Sequence, residues 1–364
     1  MKSFKLISIC AAAGLLLTGC GSFTDNTTDT SELEYDSFET VMGEFDELPS
    51  LELDNLALSE DITVNRPQRL VGMTLAYRLP DGEAAKKLAG AFFPDKCFEI
   101  KEAAALSDYL VREDTGKGGM LSLEGYGFFG YAASGRDFKP QYDPEGKVFL
   151  NSRRTALSLK LNDGELSLDK ALSLAQQTAD KYTEALGMAP LVPTIAKYNS
   201  SGFMIRFSPD LAGWLLPDQP VATDGSVNPE MIKSALHQEY RSCVASAEQA
   251  GMFAGSGCIF CKEEKAFDKM VTLSSALRFL DNSIASGMGC TVRQISLVQI
   301  MTSRGQEIRD ASQLSDSEMR SELEGGYETS PAWQFDLTND SKEYVAYIDC
   351  LTGEFAFGQL MAGA

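Results

Sequence analysis

Residues 166–187 read LSLDKALSLAQQTADKYTEALG. Within this stretch Leu168, Ala171, Leu172, Ala175, Ala179, Tyr182 and Leu186 recur at the three-to-four spacing of one helix face. Both ends are marked. Ser167 can cap the N-terminus and Asp169 suits the positive end of the helix dipole, while Gly187 offers a left-handed stop and Pro190 prevents continuation. Two short strands are expected next, Thr194–Tyr198 and Phe203–Phe207, joined by Asn199-Ser200-Ser201-Gly202. The same order begins again at Leu273-Ser274. Ala276, Leu277, Leu280 and Ile284 form the stripe, Gly287 stops it, and Thr291–Thr302 alternates as a long strand. A hairpin of Ala332–Leu337 and Tyr344–Ile348, turned at Asn339-Asp340-Ser341, and a last strand Glu354–Leu360 complete the series. The fold class is therefore α+β: helices packed on antiparallel sheets, in two related modules.

Outward from these anchors, Arg69–Leu79 reads as a strand, with Val71, Met73, Leu75 and Tyr77 alternating, and Glu83–Phe92 as a short helix. Residues 119–133, rich in Gly, Phe and Tyr, suit sheet. A second long helix fits Pro229–Ala250, with Asn228 as cap and Gly251 after the end. These readings divide the chain into an N-terminal module over 66–217 and a C-terminal module over 218–364.

The first nineteen residues run from a basic start, Lys2 and Lys5, through an apolar stretch Leu6–Leu17 to Leu17-Thr18-Gly19-Cys20. This is the order of a secretory signal peptide, and the apolar run is shorter than the ~20 residues a bilayer span needs. The tetrapeptide resembles the lipobox of bacterial lipoproteins. That resemblance implies a lipid on Cys20, which becomes the first residue of the mature chain on the outer face of a membrane. An ordinary signal peptide with a chance cysteine leaves the agreement of charge, apolar length and tetrapeptide unexplained. From Gly21 to Asn65 there are thirteen acidic residues and no Lys or Arg. Such a stretch repels itself and suits a tether over 20–65, with Leu48 onward able to dock as an edge strand. The net charge of -20 argues against a nucleic-acid partner.

The C-terminal module is similar to the PepSY-like modules of secreted bacterial proteins, among them the regulator YycI and lipoproteins of Clostridia-type bacteria. The resemblance rests on Leu273-Ser274 with Ala276-Leu277, on Pro331-Ala332-Trp333-Gln334-Phe335, and on Tyr347-Ile348-Asp349 followed by Thr352-Gly353-Glu354. It implies that proline and tryptophan open a strand, and that the Asp and Thr-Gly-Glu turn the chain into the last one. It implies no reaction.

Candidate chemistry is sparse. Once Cys10 leaves with the signal and Cys20 is lipidated, Cys97, Cys243, Cys258, Cys261, Cys290 and Cys350 remain. Cys258-Ile259-Phe260-Cys261 reads first as a structural disulfide or two free thiols, then as a redox pair or half of a zinc site. No second half-site is visible. Gly125-Tyr126-Gly127-Phe128-Phe129-Gly130 fits the dinucleotide fingerprint formally but lacks a following helix, and Thr115-Gly116-Lys117 lacks the upstream glycine of a phosphate loop. His237 is the single histidine, so no HExxH exists and a Ser-His-Asp set would rest on a helix. Trp214, in Asp210-Leu211-Ala212-Gly213-Trp214-Leu215-Leu216-Pro217, reads as an exposed aromatic lip of an interaction surface, and Trp333 as core. The expectation is a non-enzymatic lipoprotein without cofactor or metal, membrane-bound through its anchor, that binds a protein partner in a regulatory or envelope role. The alternatives are a peptide- or sugar-binding lipoprotein, which needs a pocket between modules, and an envelope hydrolase with scattered carboxylates.

Overall fold

The computed structural model describes residues 32–46, 51–60, 62, 64–78, 81–93, 98–103, 108–113, 120–123, 128–133, 145–150, 156–161, 164–217, 240–283, 289–301, 315–339 and 342–360. In chain order the elements are β1 (Tyr35–Ser37), α1 (Phe38–Gly43), β2 (Leu56–Leu58), β3 (Val71–Tyr77), α2 (Gly82–Phe92), β4 (Phe98–Ala103), β5 (Asp108–Glu113), β6 (Met120–Leu123), β7 (Phe128–Ala132), β8 (Gly146–Phe149), β9 (Ser158–Leu161), β10 (Gly164–Ser167), α3 (Leu168–Leu186), β11 (Leu191–Asn199), β12 (Gly202–Pro209), β13 (Tyr240–Val244), β14 (Met252–Ser256), β15 (Ile259–Ala266), β16 (Lys269–Val271), α4 (Leu273–Ser283), β17 (Cys290–Met301), α5 (Asp316–Gly325), β18 (Tyr327–Asn339), β19 (Lys342–Asp349) and β20 (Phe355–Leu360).

Helices on largely antiparallel sheets make this an α+β protein. The strongest local signals match the structure closely. Helix α3 starts where Ser167 accepts from the amide of Lys170 at 3.2 Å and ends at Gly187, whose φ of 60° is left-handed. Its stripe, with Tyr182 fully buried, packs on β11 to β14 of a sheet of order β4-β5-β6-β7-β14-β13-β12-β11-β8, in which every pairing is antiparallel, and α2 lies against β4 and β5. The second sheet runs β15-β3-β18-β17-β2, and β19 and β20 extend it from β18. Helix α4 covers one face, where Leu273, Ala276, Leu277 and Leu280 pack with Trp333 and Phe335. The other face carries Val298, Ile300, Ala332, Val345 and Tyr347, which pack with Leu215 and Val192 from the first module.

The module boundary differs from the sequence reading. Strand β3, expected in the N-terminal module, pairs with β15 and β18 in the C-terminal sheet, while β13 and β14 complete the N-terminal one. The nine-stranded unit is thus inserted between β3 and β15. The chain leaves and returns through that antiparallel pair, where Tyr77 opposes Ile259 and the amide of Arg78 donates to the Cys258 carbonyl at 2.8 Å. Local patterning carries no trace of such an insertion, because the partners lie far apart in sequence.

The helix expected over Pro229–Ala250 is a strand at Tyr240–Val244; His237 lies outside the described residues. Tyr240, Ser242, Cys243 and Val244 are all buried, and β13 pairs on both edges, so the interior of a sheet overrides a favourable cap and stop.

Within the acidic segment, β2 lies at the edge of the second sheet, as expected for the stretch from Leu48 onward, while the described residues 32–46 depart from an extended tether. Strand β1 pairs with β16, β2 runs parallel to β17, and Leu33, Val41 and Leu56 enter the C-terminal core. Glu44 of the segment binds a residue far along the chain. Glu44 accepts from the Ser274 amide at 2.8 Å and the Ser274 hydroxyl at 2.6 Å, adding to Thr272 at the N-terminus of α4. From the other side, Asp281 of α4 accepts from the amides of Asp54, Asn55 and Leu56 at 2.9, 2.7 and 2.8 Å.

Candidate functional site

The long strand β18 places the site. Strand β17 lies along one of its edges from Thr329 to Thr338. On the opposite edge β3 pairs with Tyr327–Thr329 and β19 takes over from Ala332. Between them stands Pro331. Its carbonyl accepts from Cys350 at 2.8 Å, so its missing N–H faces the same side and withdraws one ladder bond where the two partner strands part. The sheet forks there, and the fork opens as a cleft of about 440 Å³.

One wall is β3 and β15, the floor is Glu328, Thr329 and Ser330, and the far wall is the turn after β19. Gly72 permits the approach of β3, since a Cβ there would lie 3.1 Å from the Thr329 carbonyl. The turn is the Asp and Thr-Gly-Glu segment of the sequence. Asp349 is buried, and its Oδ1 accepts from the amides of Leu351 and Thr352 at 2.8 and 2.9 Å; Gly353 sits at φ 75°. These bonds make Asp349 the organiser of the wall, and it lines the cleft as well. Glu263, Glu264, Glu328 and Glu354 line the cleft against Lys265, with Arg69 paired to Glu264. The cleft is therefore acidic. It could be found only once β3, β15 and β19 were brought to one place.

The sequence-derived candidates fall elsewhere. Trp214, expected as an exposed lip, is fully buried, which corrects that reading. Ala212 and Gly213 both take positive φ, at 56° and 91°, so the segment folds back on itself between the Leu211–Trp214 bridge. The indole N–H then donates to the Arg69 carbonyl at 2.9 Å. Trp333 is core, with its N–H on the Val271 carbonyl at 3.0 Å.

Cys258 and Cys261 are free thiols at the two-strand neck. Cys258 borders a cleft of about 290 Å³ with Arg78, Lys87 and Glu184. Burial pushes its thiol up to about 12, only partly offset by the Arg78 guanidinium. Cys261 is also raised, by burial and then by the Glu264 carboxylate. A redox thiolate needs the reverse environment. From an ordinary value of 9.0, a rise to about 12 means a thiolate fraction about 1000-fold lower at neutral pH. Cys258 should accordingly label with iodoacetamide far more slowly in the native protein than in urea, read by mass spectrometry of the peptide. The thiol is neutral when folded, while the unfolded chain ionises from pH 9 upward. Stability is thus fully present below about pH 9 and falls by about 1.4 kcal/mol per unit between about 9 and 12. Cys258→Ala should flatten that alkaline slope in denaturant titrations at successive pH values.

Gly125-Tyr126-Gly127, Thr115-Gly116-Lys117, Cys20 and Cys97 lie outside the described residues, while Phe128–Gly130 belong to β7. Among the described residues, no group of three or more His, Cys, Asp or Glu side chains is placed to hold a metal ion, and no helix is long and apolar enough to cross a membrane.

No protein-family model matches the chain, and no curated protein matches it. Among solved structures the chain is similar to an uncharacterized protein from Eubacterium rectale ATCC 33656, at 13% identity over 88% of this chain and 98% of that one, with a TM-score of 0.51. It also aligns with the Bacillus megaterium YpeB C-terminal domain, at 12% identity over 78% of this chain and 99% of that one, with a TM-score of 0.34. At 13% identity the first likeness bears on the fold alone.

Proposed function

We propose that the protein is a non-enzymatic lipoprotein, anchored through Cys20 on the extracytoplasmic face of a membrane, that binds a protein partner in a regulatory or envelope role. The acidic cleft at the fork of β18 carries this reading. It is a shaped, charged concavity of about 440 Å³ whose far wall is pinned by backbone bonds to Asp349. Five carboxylates line the cleft against Lys265 and the Arg69 that pairs with Glu264, an excess of negative charge that favours a cationic segment of the partner over an anionic one. The PepSY-like resemblance of the C-terminal module, and the Clostridia-type lipoprotein setting it suggests, belong to the same proposal.

The neck cleft beside Arg78 and Lys87 supports a second reading, a small polar ligand such as a sugar or peptide end.

A photo-crosslinking amino acid at the exposed Thr352 tests the first reading in intact cells. A discrete partner should be captured, and the charge reversals Glu263→Lys and Glu328→Lys together should reduce its yield about 10-fold or more. Capture at undiminished yield by the double variant would overturn the role of the cleft.

A further inference from the structure

Two end strands of the second sheet differ sharply in character. Strand β15, beyond β3, carries Lys262, Glu263, Glu264 and Lys265, all exposed, and its register with β3 shifts between Cys261 and Glu263. Charges and bulges of this kind keep a bare strand edge from pairing with other chains. Strand β20, beyond β19, has neither. Its pairing with β19 runs unshifted from Phe355 to Leu360, and no residue from Phe355 to Ala364 is charged, in a chain where 23% are.

The outward backbone groups of β20 follow from its ladder. The Asp349 amide donates to the Glu354 carbonyl at 2.9 Å, which makes these two a hydrogen-bonded pair. Such pairs alternate along antiparallel strands, so Ala356, Gly358 and Leu360 bond β19, while Phe355, Phe357 and Gln359 turn N–H and C=O away from it. Among the described residues no strand meets that edge. The rings of Phe355 and Phe357 lie half-buried on the α4 face, against Phe279 at 5.4 Å and Tyr344 at 5.5 Å. A strand added there would find backbone partners on β20 and an aromatic row for its alternate side chains.

What lies at the end of that edge sets the chemistry of its occupant. Thr352 and Glu354, just before β20, line the fork cleft, and Glu263 and Glu264 of β15 line it from the opposite wall. A strand paired along β20 and continued a few residues past Phe355, at about 3.3 Å each, reaches the mouth of the cleft. The excess of carboxylates there favours Lys or Arg. A second copy of this chain would not supply them. Paired antiparallel on its own β20, it would bring Met361-Ala362-Gly363-Ala364 to the fork, none of them charged.

We propose that β20 accepts an extended segment of the partner protein as an added strand, with apolar side chains on the aromatic row and Lys or Arg beyond the end that enters the fork. The proposal rests on the acidic cleft being where the partner docks, and adds the conformation and composition of the docked segment.

Gln359→Pro tests this, because the outward N–H of Gln359 bonds nothing in β19 and its removal disturbs only the added strand. In cells carrying the photo-crosslinker at Thr352, this variant should capture the same partner about 10-fold less, while its unfolding midpoint stays within about 2 °C of the parent. Tandem mass spectrometry should place the crosslink in a segment of the partner with Lys or Arg nearby. Undiminished capture by Gln359→Pro, beside loss on the paired Glu263→Lys and Glu328→Lys reversals, would overturn strand addition and leave the cleft reading standing. Loss with Gln359→Pro but not with the reversals would overturn the cleft reading and with it the cationic occupant. Capture that neither change lowers, or no product at Thr352 in the parent, would overturn both. A crosslinked product at twice the mass of this chain would put a second copy on the edge and also overturn the proposal. Should Gln359→Pro fail to fold, the crosslinker placed at Gln359 in the otherwise unaltered chain decides: the same partner supports the added strand, and its absence sinks it.

Discussion

Asp281→Ala is expected to lower stability by about 3 kcal/mol and to release the segment around residues 32–58 for proteolysis. The Asp281 carboxylate is buried on α4 and accepts from three consecutive amides, those of Asp54, Asn55 and Leu56. The Asn55 side chain adds a fourth bond, to the Asp281 carbonyl at 3.1 Å. Hydrogen bonds to a charged acceptor are the strong ones, and truncation leaves the Leu56 amide buried without a partner. Strand β2 would lose its entry into the sheet beside β17. Asp281→Asn keeps one carbonyl acceptor and should cost about half as much. Urea titration paired with limited Glu-C digestion, which cuts at the glutamates of a segment that has no Lys or Arg, reads both effects. A variant as stable and as resistant as the parent would show that Leu33 and Val41 hold the segment unaided.

The second large effect concerns Trp214. Its replacement by Ala should cost about 3–5 kcal/mol, the range for deleting a buried aromatic side chain. Trp214→Phe keeps most of the apolar contact and loses only the indole bond to Arg69, so about 1 kcal/mol is expected. The chain has 2 tryptophans, Trp214 and Trp333, and both are buried. Native emission should therefore be blue-shifted and move to the red on unfolding, giving a direct readout for each variant. An exposed binding anchor would behave in the opposite way: Trp214→Ala would leave the unfolding midpoint unchanged and weaken partner capture. The same loop carries Leu215, whose carbonyl accepts from Gln299 at 2.8 Å, so its loss should also loosen the seating of the two modules.

These expectations separate what was legible locally from what was not. Ser167, the stripe of α3 and Gly187 gave that helix its limits to within a residue, because caps and periodicity act over one turn of chain. Thr352-Gly353-Glu354 marked the last turn for the same reason, and the structure adds that Asp349 ties it. The candidate site was not legible. Its walls come from β3, β15 and the turn after β19, and the carboxylates that colour it were indistinguishable from the other acids of a chain with net charge -20. Trp214 was misread because the positive φ angles that bury it arise at an Ala-Gly pair with no strong local signature.

By itself, then, the sequence determined the α+β class, the ends of α3, the start of α4 and the final hairpin, since each depends on residues within a few positions of one another. Tertiary structure decided that Tyr240–Val244 is a strand, that Leu33 and Val41 of the acidic segment enter a core, and that one module is threaded between β3 and β15 of the other. The physical reason is common to all three. Backbone groups and apolar side chains take the partner that buries and satisfies them best, and here those partners lie tens to hundreds of residues away, as Asp281 does from Leu56.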